Sequence, residues 1–248
     1  MQLNYISSFH VSSHTERQKE LQTVLLKNIN NPIFRSLYYF VDNDIALRHL
    51  EYLIKKHKNS HKIKIIGVKK AKYSDLFEYS MTLAGEICVI ANSDIYFHVV
   101  PQKFIRYLAS HPNCIYAVTR YESDFSKPLI ENYTGSHDAF FFASPIKETI
   151  LSKINHFQYF PGAENIVIHE LLKSGYKLYN PCLDIITVHL HTKRIPYENP
   201  RINNHIKTRQ TVYPSTIDHF NYKYKLKNLF NHLRNKLIAI LMPKSVIL

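Results

Sequence analysis

Glu86-Ile87-Cys88-Val89-Ile90-Ala91, running straight into Asn92-Ser93-Asp94, is the stretch that decides the fold. A nearly continuous apolar run of this length suits a parallel strand with both faces covered. Its abrupt polar end puts two oxygen-bearing side chains, Asn92 and Asp94, at i and i+2 on one turn.

Working outward toward the N-terminus, residues 63–68 read as another strand, followed by a helix over 73–83. Residues 36–41 form a strand, and Asp42-Asn43-Asp44 caps a helix with Leu47, Leu50, Leu53 and Ile54 on one face. Residues 5–11 form the first strand, and a helical stripe of Leu21, Val24, Leu25 and Ile29 follows until Asn30-Asn31-Pro32 breaks it. Toward the C-terminus come a helix over 101–110, a strand over 114–119, a loop through Pro128 and an apolar strand over 139–143. Strands alternating with helices predict an α/β fold, a doubly wound and mostly parallel sheet. Ligands of such sheets bind beyond the carboxyl ends of the strands, where strand order reverses. Residues 7–10, Asp42, residues 69–72, Asn92 to Asp94 and residues 120–122 are the candidates by position.

The composition narrows the partners. The chain has 248 residues, with 32 Lys and Arg against 19 Asp and Glu, a formal net charge of +13. Such a surplus predicts an anionic ligand or surface. Gly is scarce, at 5 residues, and no RGG, RNP-like or zinc-finger pattern occurs, so nucleic acid is not the expected partner. Cys88, Cys114 and Cys182 fit neither a disulfide framework nor a metal knuckle, and read as reduced core residues. The first six residues carry neither the basic nor the apolar region of a signal peptide, which predicts a cytoplasmic protein.

Three motifs carry the chemistry. Asn92-x-Asp94 offers oxygen ligands to a hard cation such as Mn²⁺ or Mg²⁺, which needs only one or two protein carboxylates when phosphate oxygens complete its shell. The competing reading is an Asx-turn or helix cap. Gly162-Ala163-Glu164-Asn165 delivers an acid to the start of an amphipathic helix that stops at Gly175; Glu164 is either a general base or a carboxylate favoured by the helix dipole. In Thr187-Val188-His189-Leu190-His191-Thr192-Lys193-Arg194, alternation puts His189 and His191 on one face, where either could reach a metal or a diphosphate oxygen. Lys193 and Arg194 could neutralise a departing diphosphate.

Taken in order, these motifs resemble the GT-A fold glycosyltransferases over residues 3–197. Val89-Ile90-Ala91-Asn92-Ser93-Asp94-Ile95-Tyr96-Phe97 is similar to their DxD region with Asn92 in place of the first Asp, which leaves Asp94 as the surer ligand. Gly162-x-Glu164-Asn165 with Gly175-Tyr176 is similar to the helix that faces the acceptor in several of these families, and its Glu-Asn pair looks like that of the retaining polypeptide GalNAc-transferases.

The resemblance implies a single Rossmann-like GT-A domain over residues 1–200 and a UDP-sugar donor. Ser7, Ser8, Phe9 and Asp42 would lie near the base, with Lys69, Asn92, Ser93, Asp94, Arg120, Lys193 and Arg194 completing the nucleotide-sugar site. It further implies a Mn²⁺ or Mg²⁺ on Asp94 with His191 or His189, and an acceptor hydroxyl near Asp138 and Glu164. Arg120, Tyr121 and Glu122 would add sugar contacts. Whether configuration is inverted or retained stays open.

Residues 201–248 read as a basic connector and an amphipathic helix with Leu226, Leu229, Phe230, Leu233, Leu237, Ile240 and Leu241 on one face and Lys and Arg around it. That helix suits an anionic membrane interface, the domain's own core or a second subunit. A peripheral enzyme on the inner face of a cell membrane, acting on a saccharide or lipid-linked saccharide, is the expected whole. A basic nucleic-acid-binding protein and a metal-dependent hydrolase are the rival readings.

Overall fold

The computed structural model describes residues 1–55, 57–125, 136–191, 202 and 212–218. In chain order its elements are β1 (Leu3–Phe9), α1 (Thr15–Asn30), β2 (Phe34–Val41), α2 (Asp44–Ile54), β3 (Ile63–Val68), α3 (Tyr73–Met81), β4 (Ile87–Ala91), β5 (Ile95–Val99), α4 (Gln102–Ser110), β6 (Cys114–Val118), β7 (Ala139–Ala143), α5 (Ala163–Lys173), β8 (Lys177–Tyr179) and β9 (Ile186–His189). Short 3-10 turns occupy Ser60–Lys62 and Glu148–Lys153.

Strand β4 sits at the centre, as its sequence demands. All five of its residues are buried, and they divide by parity: Ile87, Val89 and Ala91 enter one core, Cys88 and Ile90 the other. The first core is closed by Leu25 and Ile29 of α1, Leu50 of α2 and Phe104, Ile105 and Leu108 of α4. The second is closed by Leu76 and Phe77 of α3 and Val167, Ile168 and Leu171 of α5. A period of two along a strand packed on both sides explains why the run has no polar alternation.

The main sheet has the order β3-β2-β1-β4-β7-β6-β8. Every neighbouring pair is parallel except those made by β7, which runs against both β4 and β6. The α/β fold with a mostly parallel sheet is therefore as the sequence predicts. Two features were not legible. Strand β7 is reversed, and the residues after Asp94 enter β5, which pairs antiparallel with β9 in a separate two-stranded ribbon, Ile95 opposite His189.

Residues 212–218 pack on the same body: Ile217 is buried in the first core, and the Ser215 amide donates to the Asn180 carbonyl at 2.7 Å. The amphipathic stretch 222–242 lies outside the described residues. Among the described residues no helix is long and apolar enough to cross a membrane. The three cysteines are buried and unpaired.

Candidate metal and ligand centre at the carboxyl edge of the sheet

From β1 the chain steps outward through β2 and β3, then returns to the other side of β1 with β4. That reversal opens a crevice between the ends of β1 and β4. A cleft of ≈ 480 Å³ lies there. Ser8 and His10, Asp42, Lys70, Asn92 to Asp94 and Arg120 line it from the ends of β1, β2, β3, β4 and β6. Because β7 is reversed, the residues before it reach the same edge: the Asn92 amide donates to the Asp138 carbonyl at 3.0 Å, and the Asp138 amide to that of Val118 at 3.1 Å.

The β5–β9 ribbon brings a distant segment to Asp94. Antiparallel pairing of Ile95 with His189 ends β9 beside the turn, and the Leu190 amide donates to the Asp94 carbonyl at 3.1 Å. Asp94 Oδ2 accepts from His189 Nε2 at 3.0 Å and from Arg17 Nη2 at 2.5 Å. One ligand atom from each of Asp94, His189 and His191 lies within 4.8 Å of the others. The Nε2 of His191 is buried and has no hydrogen-bond partner among the described residues. One carboxylate and two imidazoles, one of them with its buried ring nitrogen unpartnered, make a donor set that could hold a divalent metal.

The electrostatics of this group are tightly bound together. Burial alone would raise the Asp94 pKa, but the charges and hydrogen bonds of His189 and Arg17 outweigh it and hold the carboxyl well below its usual range. Burial likewise opposes the charged form of His189, yet Asp94 and Glu122, the latter 3.6 Å from Nδ1, push it up to about 9. Burial and the nearby charges of Arg17 and His189 keep His191 low, which favours its neutral form. An ion bound at His189 Nε2 has to displace a proton, which makes metal affinity pH-dependent.

Asp138 has a different environment. It is 2% exposed and accepts from Asn92 Nδ2 at 3.1 Å, from Arg120 Nη1 at 2.8 Å and, through a short bond, from the Ser136 hydroxyl. Asn92 passes the chain on: its Oδ1 accepts from Gln158 Nε2 at 3.1 Å, and Gln158 Oε1 accepts from the Ser8 hydroxyl at 3.2 Å. Asn92 and Asp94 thus bond across the cleft rather than to their own turn, which sets aside the Asx-turn reading. The chain also accounts for asparagine at 92. An aspartate there would have no N–H for Asp138 and would press a second carboxylate against it.

Glu164 lies in the first turn of α5, behind Gly162, whose φ of 88° is the left-handed geometry that favours glycine. Glu164 and its neighbour Asn165 both line the cleft. Asn165 is buried, and its Oδ1 has no partner among the described residues.

Of the expected residues, Ser8, Asp42, Asn92, Ser93, Asp94, Arg120, Asp138, Glu164, His189 and His191 converge on this one cleft. Five do not line it: Tyr121, whose hydroxyl donates to the Cys182 carbonyl at 2.9 Å, Glu122, which stands behind Arg120 and His189, and Ser7, Phe9 and Lys69. Ser7 and Phe9 flank Ser8: the Ser7 hydroxyl is buried against the Ala91 carbonyl at 2.7 Å, and Phe9 packs in the core. Lys69 points outward to Asp75, 2.6 Å away, and Lys70 takes the lining position. Lys193 and Arg194 lie outside the described residues. Sequence reasoning missed Arg17 and Gln158 altogether, because neither follows a strand. No protein-family model matches the chain, and no curated protein matches it.

Proposed function

We propose that the chain is a metal-assisted glycosyltransferase that moves a sugar from a nucleotide-diphosphate donor, UDP-linked by preference, to a hydroxyl of a saccharide or lipid-linked saccharide. One observation carries this reading: the polar tip of β4, the acid opening α5 and the two histidines at the end of β9 and just beyond it share a single cleft, although Asp94 and His189 are 95 residues apart.

Asp94, His189 and His191 would hold the metal, and two imidazoles favour Mn²⁺ over Mg²⁺, whose preference is for oxygen. When bound, the ion supplies Lewis-acid neutralisation of the leaving diphosphate. Ser8, His10 and Asp42 face the nucleoside end; burial drives His10 down and Asp42 up, toward neutral hydrogen-bonding partners for a base or ribose. Glu164 takes the proton of the acceptor hydroxyl as it attacks the anomeric carbon. Asn165 Oδ1 accepts from a sugar hydroxyl, a role that Asp138, with its donors already in place, leaves open. Asp138 instead positions Asn92 and Arg120.

A thermal-shift series with UDP, GDP, CDP and a short oligonucleotide, each with and without Mn²⁺, tests the reading, since a ligand of the native state raises Tm by mass action. UDP with Mn²⁺ should give the largest rise. Stabilisation by the oligonucleotide alone would favour the nucleic-acid reading that the net charge of +13 keeps alive. Metal-dependent turnover of an ester with no sugar nucleotide would favour a hydrolase.

A further inference from the structure

The guanidinium of Arg17 touches both halves of the candidate metal group. Nη2 lies 2.5 Å from Asp94 Oδ2, and Nη1 donates to the carbonyl of Leu190, the residue between the two histidines, at 2.5 Å. Nη1 is also 3.1 Å from Glu20, one turn along α1. The side chain is only 12% exposed, so little solvent screens it. A divalent ion on Asp94 would therefore bind beside a fixed positive charge that already holds one of its two carboxylate oxygens.

We propose that Arg17 is a tethered counter-cation of the metal centre, which disfavours a bare divalent ion on Asp94 and favours an ion that arrives with a diphosphate. This rests on the metal-assisted reading above. A bare ion adds two positive charges beside the guanidinium. An ion carrying a diphosphate brings a net negative charge, and its phosphate oxygens offer the guanidinium charged acceptors in place of the single Asp94 oxygen that Nη2 now holds. Arg17 lines the same cleft that would receive the diphosphate. Metal and nucleotide consequently bind as a unit, each raising the other's affinity by the same factor. The residue acts as a specificity determinant: it selects the metal–nucleotide complex over either part.

The test uses the full chain and MnCl₂ alone, with free Mn²⁺ followed by electron paramagnetic resonance, in the wild type, Arg17→Gln and Arg17→Lys. Arg17→Gln should bind bare Mn²⁺ about ten-fold more tightly than the wild type, within the roughly 5- to 150-fold range of ordinary coupling. Arg17→Lys keeps the charge and should keep most of the wild-type weakness. In a parallel thermal-shift measurement, the gain in UDP affinity from excess Mn²⁺ should shrink in Arg17→Gln. Structural damage would weaken metal binding, so a gain of affinity separates this role from a scaffolding one. Unchanged or weaker binding of Mn²⁺ by Arg17→Gln, with binding intact in the wild type, overturns the proposal and leaves the metal reading standing. Arg17→Lys matching Arg17→Gln also overturns it. No Mn²⁺ binding by any of the three, with or without UDP, removes the metal reading and the proposal together.

Discussion

Asp94 at the tip of β4 and Asp138 at the head of β7 are carboxylates on the same sheet edge, joined through Asn92, yet their partners differ in kind. Asp138 accepts from an amide, a hydroxyl and a guanidinium, and is held as part of the framework. Asp94 is balanced by two cations, Arg17 and His189, on a single oxygen, with a second imidazole close by. The comparison teaches that burial and a full set of partners do not by themselves mark an acid as structural. What matters is whether a partner is itself able to ligate an incoming ion, as the His189 imidazole on Asp94 is and the amide, hydroxyl and guanidinium around Asp138 are not.

The largest effect expected from this contrast is on folding, at Asp138. Asp138→Ala leaves Arg120 without its closest partner and should cost about 3 kcal/mol, the low end for breaking a buried pair because Glu122 remains 3.5 Å from Arg120. Urea unfolding reads this directly, and a loss confined to metal binding would break the contrast. Asp94→Ala should instead fold and lose the metal-dependent stabilisation by UDP, about 2.7 kcal/mol when ligand stands at 100 times its Kd. Retained stabilisation in the folded variant would remove Asp94 from the centre. Asn92→Asp sits between the two. Losing one donor and adding a like charge beside Asp138 should cost about 1–2 kcal/mol in the same unfolding experiment, and a stabilised variant would contradict the relay described here. Lys69→Ala, outside the cleft and half-exposed where it meets Asp75 and the Phe40 ring, should change stability by about 1 kcal/mol or less and leave UDP binding unaltered; a lost thermal shift would return Lys69 to the site.

The sequence carried most of the fold because the sheet is built from local signals. The unbroken apolar run of β4, the breaker Asn30-Asn31-Pro32 and the cap at Asn43, whose side chain accepts from the Ala46 amide at 3.0 Å, each act within a few residues. The site was legible wherever a motif closed a strand. It was not legible where pairing decides. Nothing near Ile95 announces that it will meet His189, and the direction of β7, which delivers Asp138, depends on its neighbours rather than on its own apolar sequence. Arg17 is an ordinary charged residue at the start of a helix until the β5–β9 ribbon carries Asp94 and Leu190 to it. Along β1 the error was one of parity: Ser7 and Phe9 turn into the body while Ser8, between them, faces the cleft. Lys69 and Lys70 show the same alternation after β3.

X-ray absorption at the manganese edge, on the full chain with Mn²⁺ and UDP, tests the central claim most directly. The account predicts nitrogen scattering from two imidazoles, falling to one in His191→Ala, alongside carboxylate and phosphate oxygens. A shell of oxygen alone, indifferent to substitution of Asp94 or His191, would show that these residues do not hold the ion.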